Sequence, residues 1–421
     1  MTGATRVHVV GAGLAGLAAA LRLSDAGIAV VLHEAAPQAG GRCRSYFDAT
    51  LGCRLDNGNH LLVAGNHAAM AYVDAIGARD TLLETDEAHY TFCDAVSGER
   101  WDFRPNSGRV PWWLFDRSRR IPGIGLGDYL QAWRLMRARP DDRVADLLPA
   151  GTAIYRRLWE PLATAALNTE PAQGSALLLA QVLRETFGAG GRACRTLVPR
   201  QGLSESLIDP ALAVLNRRGA AARFGRRLRA IDFSDARATI LHFEDSDEML
   251  GPDQAVVLAV PPSAASRLVP GISTPDEFRA ILNGHFRIAA PERSPLFVGL
   301  IGGTAEWVFR KQAILSTTTS AADRFMDSPA EELAPVLWRD VCRTYELGVL
   351  PMPAWQIVKE RRATFAATPA QHRRRPATHT RWNNLVLAGD WIDTGLPATI
   401  EGAIRSGFAA AEMLTAKALE R

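Results

Sequence analysis

Lysine is nearly missing from this chain. Of 48 basic residues among 421, only Lys311, Lys359 and Lys417 are lysines, and the net charge is +3. So small an excess builds no basic footprint for nucleic acid, and the arginine bias reads as genomic base composition. Cysteine is scarce too. Cys43, Cys53, Cys93, Cys194 and Cys342 are odd in number and hold no CxxC pair. That excludes a disulfide framework and a zinc site, suggests a reducing compartment, and leaves no metal expected. A long uncharged apolar run is also lacking. Leu14 to Leu23 is the nearest approach, but Arg22, Asp25 and the glycines before it fit a buried helix better than a membrane span. No basic leader with a cleavage site precedes the first apolar run, so the expected location is the cytoplasm. Internal repeats and long low-complexity segments are absent, which leaves an ordinary globular chain.

What is present is apolar and long. A 47% hydrophobic content over 421 residues is ample for two cores. Val7 to Val10 reads as a buried strand, Gly11-Ala12-Gly13-Leu14-Ala15-Gly16 follows, and Leu17 to Ala26 reads as a helix. Gly11 suits the tight turn, Gly13 lets backbone N–H groups approach a pyrophosphate, and Gly16 lets helix and strand pack closely. Glu34 ends a second strand, Ile28 to His33, eighteen residues past Gly16, where its carboxylate can accept from ribose hydroxyls. Strand, glycines, helix, strand and acid in that order predict an α/β, Rossmann-type dinucleotide fold.

Gly40-Gly41-Arg42 then favours FAD over a nicotinamide cofactor. A flavin needs backbone room beside its ribityl chain and pyrophosphate, and Arg42 offers fixed guanidinium donors there. Asp56-Asn57-Gly58-Asn59-His60 is a dense polar turn. Gly58 lets the chain pass close to a planar ring, and His60 can present an imidazole to the reaction centre. Near the C-terminus, a buried strand from Asn384 to Ala388 leads into Gly389-Asp390, which can place a carboxylate on ribityl hydroxyls. Pro397-Ala398-Thr399 is expected to open a helix, with Pro397 in its first turn and the positive helix end against the flavin's pyrimidine edge.

Three stretches, 1–80, 196–264 and 376–421, are expected to form one FAD-binding domain, with strands at Arg229 to Phe233, Ala238 to Phe243 and Ala255 to Val260. The stretches 81–195 and 265–375 are expected to form a discontinuous α+β substrate domain. It holds most of the tryptophans, including Trp112, Trp113, Trp133, Trp159, Trp307, Trp338 and Trp355, as suits a large apolar ligand.

The fingerprint with Gly40-Gly41-Arg42, the Val257–Pro262 strand end and Gly389-Asp390 together resemble the flavin amine oxidase and carotenoid (phytoene) desaturase superfamily over essentially the whole chain. Asp56 to Leu62, Leu158-Trp159-Glu160-Pro161 through Asn168, and Gly389-Asp390-Trp391 with Thr394 to Ala403 narrow the likeness. They resemble the squalene-associated, FAD-dependent hydroxysqualene dehydroxylase family of bacterial hopanoid biosynthesis. The resemblance implies an apolar C30 isoprenoid substrate, loss of an allylic hydroxyl as water, hydride delivery from reduced flavin, and an external electron donor. Such a reaction needs an acid. His60 is the first candidate and Glu160 the second, since a carboxyl in an apolar helix can stay protonated. Cofactor contacts are expected from Gly11, Gly13, Leu14, Ala15, Gly16, Glu34, Ala35, Gly41, Arg42, Gly58, Asn59, His60, Ile231, Val260, Gly389, Asp390, Pro397, Ala398 and Thr399.

A C30 hydrocarbon must come from a bilayer. Val110-Pro111-Trp112-Trp113-Leu114-Phe115 with Arg117, Arg119 and Arg120, then a helix carrying Tyr129, Leu130, Trp133 and Met136 on one face, reads as a membrane-facing patch over 110–139. Three other functions fit the same fold: an oxidative carotenoid or phytoene desaturase, an amine oxidase with a flavin-facing lysine, and a prenyl-lipid carrier without flavin. Lys311 and Lys359 fall in no such pattern, which speaks against the second, and retention of Glu34, Arg42, Asp390 and the C-terminal helix start speaks against the third.

Overall fold

A five-stranded parallel sheet is assembled from pieces scattered along the chain. The computed structural model describes residues 4–291 and 293–419. In spatial order the strands are Ala221–Arg223, Ala29–His33, Arg6–Val10, Gln254–Leu258 and Leu385–Leu387. Strand residues alternate between faces, and both faces are buried, as parallel sheets require. Val7, Val9, Ala255, Val257 and Val386 enter one core, whereas Val10, Val256, Leu258, Leu385 and Leu387 enter another. The first face is covered by the helices Leu14–Asp25 and Ile400–Leu419. A small antiparallel sheet, Leu228–Ser234, Arg237–Phe243 and Asp247–Met249, contributes Ile231, Leu241 and Phe243 to the second.

The first helix starts at Leu14, earlier than the apolar pattern alone indicates, because Gly13 in extended conformation caps it. Nine of its twelve residues are buried, many of them alanine. Small side chains bring backbones together, and the tightest contact is with the C-terminal helix. A Cβ on Gly407 would lie 2.2 Å from the Ala15 carbonyl oxygen and 2.9 Å from the Ala18 Cβ.

The second large sheet has seven strands, in the order Trp355–Phe365, Phe278–Arg287, Ile314–Thr319, Trp307–Lys311, Phe297–Ile301, Tyr90–Asp94 and Arg100–Phe103. Its strands come from residues 90–103 and 278–365, while the parallel sheet draws on residues 6–33, 221–258 and 385–387. The helix Ala330–Thr344 closes one face through Leu337, Trp338 and Val341. The other face carries a connected series of rings. Trp101 stacks on Phe92 at 5.7 Å, Phe92 meets Trp307 at 5.7 Å, and Phe297 lies 6.0 Å from Trp307 and 6.1 Å from Phe309. Tyr90 and Phe103 extend the series to Trp113 and Tyr129.

Beyond Trp113 the chain departs from the single amphipathic helix that its sequence suggests. Two one-turn helices form, Leu126–Tyr129 and Ala132–Leu135, joined by i to i+3 hydrogen bonds such as Trp133 N–H to the Leu130 carbonyl. The Tyr129 hydroxyl accepts from the Ile121 N–H and goes inward, so the tighter winding leaves Leu130 and Trp133 together on the outside. Leu130 is 69% exposed, Trp133 62%, Trp112 50% and Phe115 78%. No helix among the described residues is long and apolar enough to cross a membrane.

Replacing Gly407 by alanine sets two terms against each other. Helix propensity improves by about 1 kcal/mol, but a methyl driven against a fixed carbonyl costs about 1–3 kcal/mol. The clash is with backbone and cannot rotate away, so G407A is expected to lower Tm; an unchanged or higher Tm in a thermal melt would show that the helices slide apart freely.

Candidate active site

The loop after the first strand forms a cradle in which each glycine does different work. A Cβ on Gly11 would sit 2.3 Å from the Ala259 oxygen, and one on Gly16 1.8 Å from the Gly11 oxygen, so both are packing positions. Gly13 differs. A Cβ there meets nothing within 4 Å, so its backbone faces open space at the start of a helix. Gly40 and Gly41 adopt φ of +111° and +56°; Gly40 N–H bonds the Ala12 carbonyl, and a Cβ on Gly41 would lie 3.5 Å from Gly13 Cα. Leu14 and Ala15 are buried, leaving their backbone amides as the groups that can serve the cradle.

Glu34 is held by two backbone donors: Ala12 N–H at 2.7 Å on one oxygen and Ala36 N–H at 2.8 Å on the other. Its remaining lone pairs are free to accept from sugar hydroxyls. Ala35 is exposed beside it. The segment running alongside is Arg223 to Arg226, tied by backbone hydrogen bonds to Glu34 and Ala36. Ile231 stands further along, buried opposite Leu241 in the small antiparallel sheet.

Arg42 and Asp390 are both expected beside a ribityl chain. They form an ion pair of 2.6 Å, and Arg42 also donates to the Ala363 carbonyl. The buried carboxylate raises the Arg42 pKa. Trp391 folds against Gly389, where a Cβ would touch its ring at 2.5 Å, and its Nε1 donates to the Val260 carbonyl. Asp390 is thus pinned beside the end of the Gln254–Leu258 strand.

The C-terminal helix begins at Ile400, so Pro397 precedes it rather than occupying its first turn. Thr399 is the capping residue, its hydroxyl accepting the Gly402 N–H at 3.0 Å. A threonine cap outcompetes the proline as the start because its oxygen satisfies an otherwise free amide. Pro397 and Ala398 form the approach to this helix end, and the Thr394 hydroxyl beside them is buried without a partner. An open Gly13, two helix starts and an unpaired buried hydroxyl fit a flavin dinucleotide, which supplies acceptors along its length.

Gly58 passes close to the large sheet: a Cβ there would lie 3.2 Å from Asn283 Nδ2. Asn59 Nδ2 donates to Thr318 Oγ1 at 3.0 Å, and that hydroxyl donates to Asn283 Oδ1 at 2.9 Å. Sequence reading overlooked Asn283 and Thr318, since an asparagine in a strand carries no motif. His60 Nε2 lies 3.9 Å from the Cys43 thiol, in a small enclosure with Asp56, Phe309 and Lys311. Burial lowers its pKa to about 4, so His60 is neutral near pH 7 and suits a positioning contact better than proton donation. Asp56 pairs with Lys311 at 2.5 Å and accepts from Ser45 and the Leu203 amide, a role that the sequence did not reveal.

Glu160 is exposed in the first turn of the Glu160–Leu167 helix, with its pKa raised by partial burial and by Glu170. Across from that helix is a carboxyl that was not anticipated. Glu306 opens the Trp307–Lys311 strand, accepts the Ser320 N–H at 2.9 Å, and is pushed up to about 7 by burial. Two further buried groups also escaped notice. Arg375 donates to the carbonyls of Asp390, Trp391, Ile392 and Leu396, shaping the whole Asp390 loop, and Glu401 accepts the Ala68 and Ala69 amides. Arg375 sits in an arginine run that resembles surface charge, and only its 7% exposure distinguishes it. A separate cleft of about 480 Å³ between Thr50, Glu331 and Trp355 shares no residue with this constellation. No group of three potential metal ligands occurs among the described residues.

Comparison with known proteins agrees with this geometry. Residues 14–290 and 300–415 match the family described as flavin containing amine oxidoreductase. The chain is 50% identical to the hydroxysqualene dehydroxylase of Rhodopseudomonas palustris over 411 residues, covering 97% of this chain and 98% of the relative. It is 47% identical to the hydroxysqualene dehydroxylase of Sinorhizobium fredii, covering 97% of each. The cyclohexylamine oxidase of Brevibacterium oxydans shares the fold at a TM-score of 0.67 and 16% identity, with both chains fully covered. By this near full-length kinship the chain belongs to the flavin-containing amine oxidoreductases and, among them, to the hydroxysqualene dehydroxylase family.

Proposed function

We propose that this protein is an FAD-dependent enzyme that removes the allylic hydroxyl of hydroxysqualene to give squalene, a step of hopanoid biosynthesis. One observation carries the reading beyond kinship. The turn at Asn59 meets a sheet face of aromatic rings, Asn283 and Thr318, and the lysines whose side chains the structure describes are already engaged. Lys311 is committed to Asp56, and Lys359 donates to the carbonyls of Met326 and Ser328. That arrangement suits a hydrocarbon and offers nothing to an amine.

Bound and reduced FAD supplies the two electrons and the hydrogen that replace the lost oxygen. The chain's own residues do the rest. Glu34 and the Gly11–Gly16 loop hold the nucleotide, Arg42 with Asp390 fixes the ribityl region, and the Thr399-capped helix end stabilises negative charge on the reduced ring. The ring series from Phe309 to Trp113 keeps water from a carbon that has lost its hydroxyl, and neutral His60 holds the substrate's orientation.

We also assign the exposed Trp112, Phe115, Leu130 and Trp133 to the surface of a membrane, from which a C30 chain reaches the ring series. Arg119 and Arg137 lie over the Trp112 and Trp133 rings at 5.1 and 5.4 Å, and cations beside interfacial aromatics suit anionic headgroups, which supports the reading.

Three outcomes follow. Anaerobic protein with photoreduced FAD converts hydroxysqualene to squalene and leaves phytoene untouched when supplied with an acceptor; phytoene desaturation without squalene formation would favour the oxidative alternative. Asp390→Ala strands the Arg42 charge, and flavin affinity falls at least tenfold, about 1.4 kcal/mol, read as the ratio of visible to protein absorbance. Replacing Trp112, Phe115 and Trp133 together by serine lowers co-sedimentation with anionic vesicles more than tenfold, while flavin content stays at the wild-type level.

A further inference from the structure

Loss of a hydroxyl as water requires a proton at its oxygen, and this chain's neutral His60 and exposed Glu160 are poorly placed to give one. We propose that Glu306 is the acid that protonates the allylic hydroxyl. The inference rests on the dehydroxylase reading and names the residue that performs its first step.

Three geometric observations support it. Glu306 is one ladder position from the flavin-facing turn: its N–H bonds the Thr318 carbonyl, and the Thr318 hydroxyl in turn accepts from Asn59. Its next neighbour, Trp307, belongs to the ring series. Its carboxyl is engaged by Ser320, through the backbone amide at 2.9 Å and through the side chain, and the residue is half-buried. A protonated carboxyl keeps acceptor capacity beside its one O–H donor, so Glu306 can accept from Ser320 and still give a proton.

The surroundings keep the proton on. Burial is the largest influence, pushing the group up to about 7; the Ser320 contacts and Arg324 oppose it, and Glu160 reinforces it. Those groups lie on the loop after Thr319, the turn Ala322–Phe325 and the helix Glu160–Leu167. Asn168 holds that loop in place, its Oδ1 accepting the Ala321 N–H at 2.7 Å.

The step balances as follows. Glu306 gives its proton to the hydroxyl oxygen, the C–O bond breaks, and water leaves with both electrons of that bond. The allylic carbon then needs hydrogen with two electrons, which reduced FAD, when bound, would supply as it is oxidised. Glu306 regains a proton from solvent, and an external donor restores the flavin.

Glu306→Gln tests this, because the amide keeps size and hydrogen bonding but holds no acidic proton. With flavin content and Tm unchanged, turnover of hydroxysqualene is expected to fall a hundredfold or more. An allylic acetate of the same skeleton, whose leaving group needs no full protonation, should lose less than tenfold. Wild-type turnover should decline as pH rises through about 7, the acid form being lost there, and this limb should vanish from the residual activity of the variant. Infrared difference spectra of the flavin-free protein should show a protonated carboxyl band near pH 6 that fades toward pH 8 and is missing in E306Q. Squalene formation by E306Q within threefold of wild type, an equal loss on the acetate, or absence of that band would overturn the assignment. A wild-type protein that makes no squalene would instead sink the dehydroxylase reading on which it rests.

Discussion

Two segments 348 residues apart meet in a single charge contact, and the site exists because they do. Arg42 leaves the glycine turn after the second strand, Asp390 leaves the last strand of the same sheet, and their ion pair closes the cradle between them. Asp390 is the buried member, and removing Arg42 would leave its carboxylate without a counter-charge, whereas Arg42 itself stays partly exposed. The parallel sheet brings the two strand ends to one edge, and the ion pair then fixes the distance across which a cofactor must lie. Trp391 against Gly389 and its bond to Val260 keep Asp390 from moving independently of the sheet.

Around that contact the structure spends polar groups where hydrophobic packing would be simpler. Arg375 buries a guanidinium among main-chain carbonyls, and dehydration lowers its pKa to about 10, yet the loop from Asp390 to Leu396 has no other organiser of similar reach. Glu401 serves the N-terminus of the His67–Ala75 helix and also meets Arg405, which grips Glu185 with two nitrogens. These are irregular segments inside a protein, so their backbone groups need partners that regular ladders would otherwise provide.

That division explains what could be read from the sequence. Gly11, Gly13, Gly16 and Glu34 stand at fixed spacings within one strand–turn–helix–strand unit, so spacing reveals them even though Gly11 packs on distant Ala259, and the strands at residues 7–10, 255–258 and 385–387 show in their apolar runs. Asn283, Thr318, Glu306 and Arg375 act through partners that only the folded chain supplies, and each is an unremarkable residue type in an ordinary stretch. Glu160 drew notice because its motif is recognisable, but the motif's buried polar members are Thr164 and Asn168. Pro397 was misread for a related reason: proline favours a first turn, but the threonine two positions later makes the better cap.

Asn168 has a mechanical consequence. Held at a left-handed φ of 46°, its amide reaches the Arg279 carbonyl, the Thr364 hydroxyl and the Ala321 N–H together, riveting the end of one helix to three points on the floor of the large sheet. A hinge cannot operate at a rivet. Any parting of wall and floor is therefore displaced away from Asn168, so that side of the sheet keeps its spacing while other margins are left freer to move.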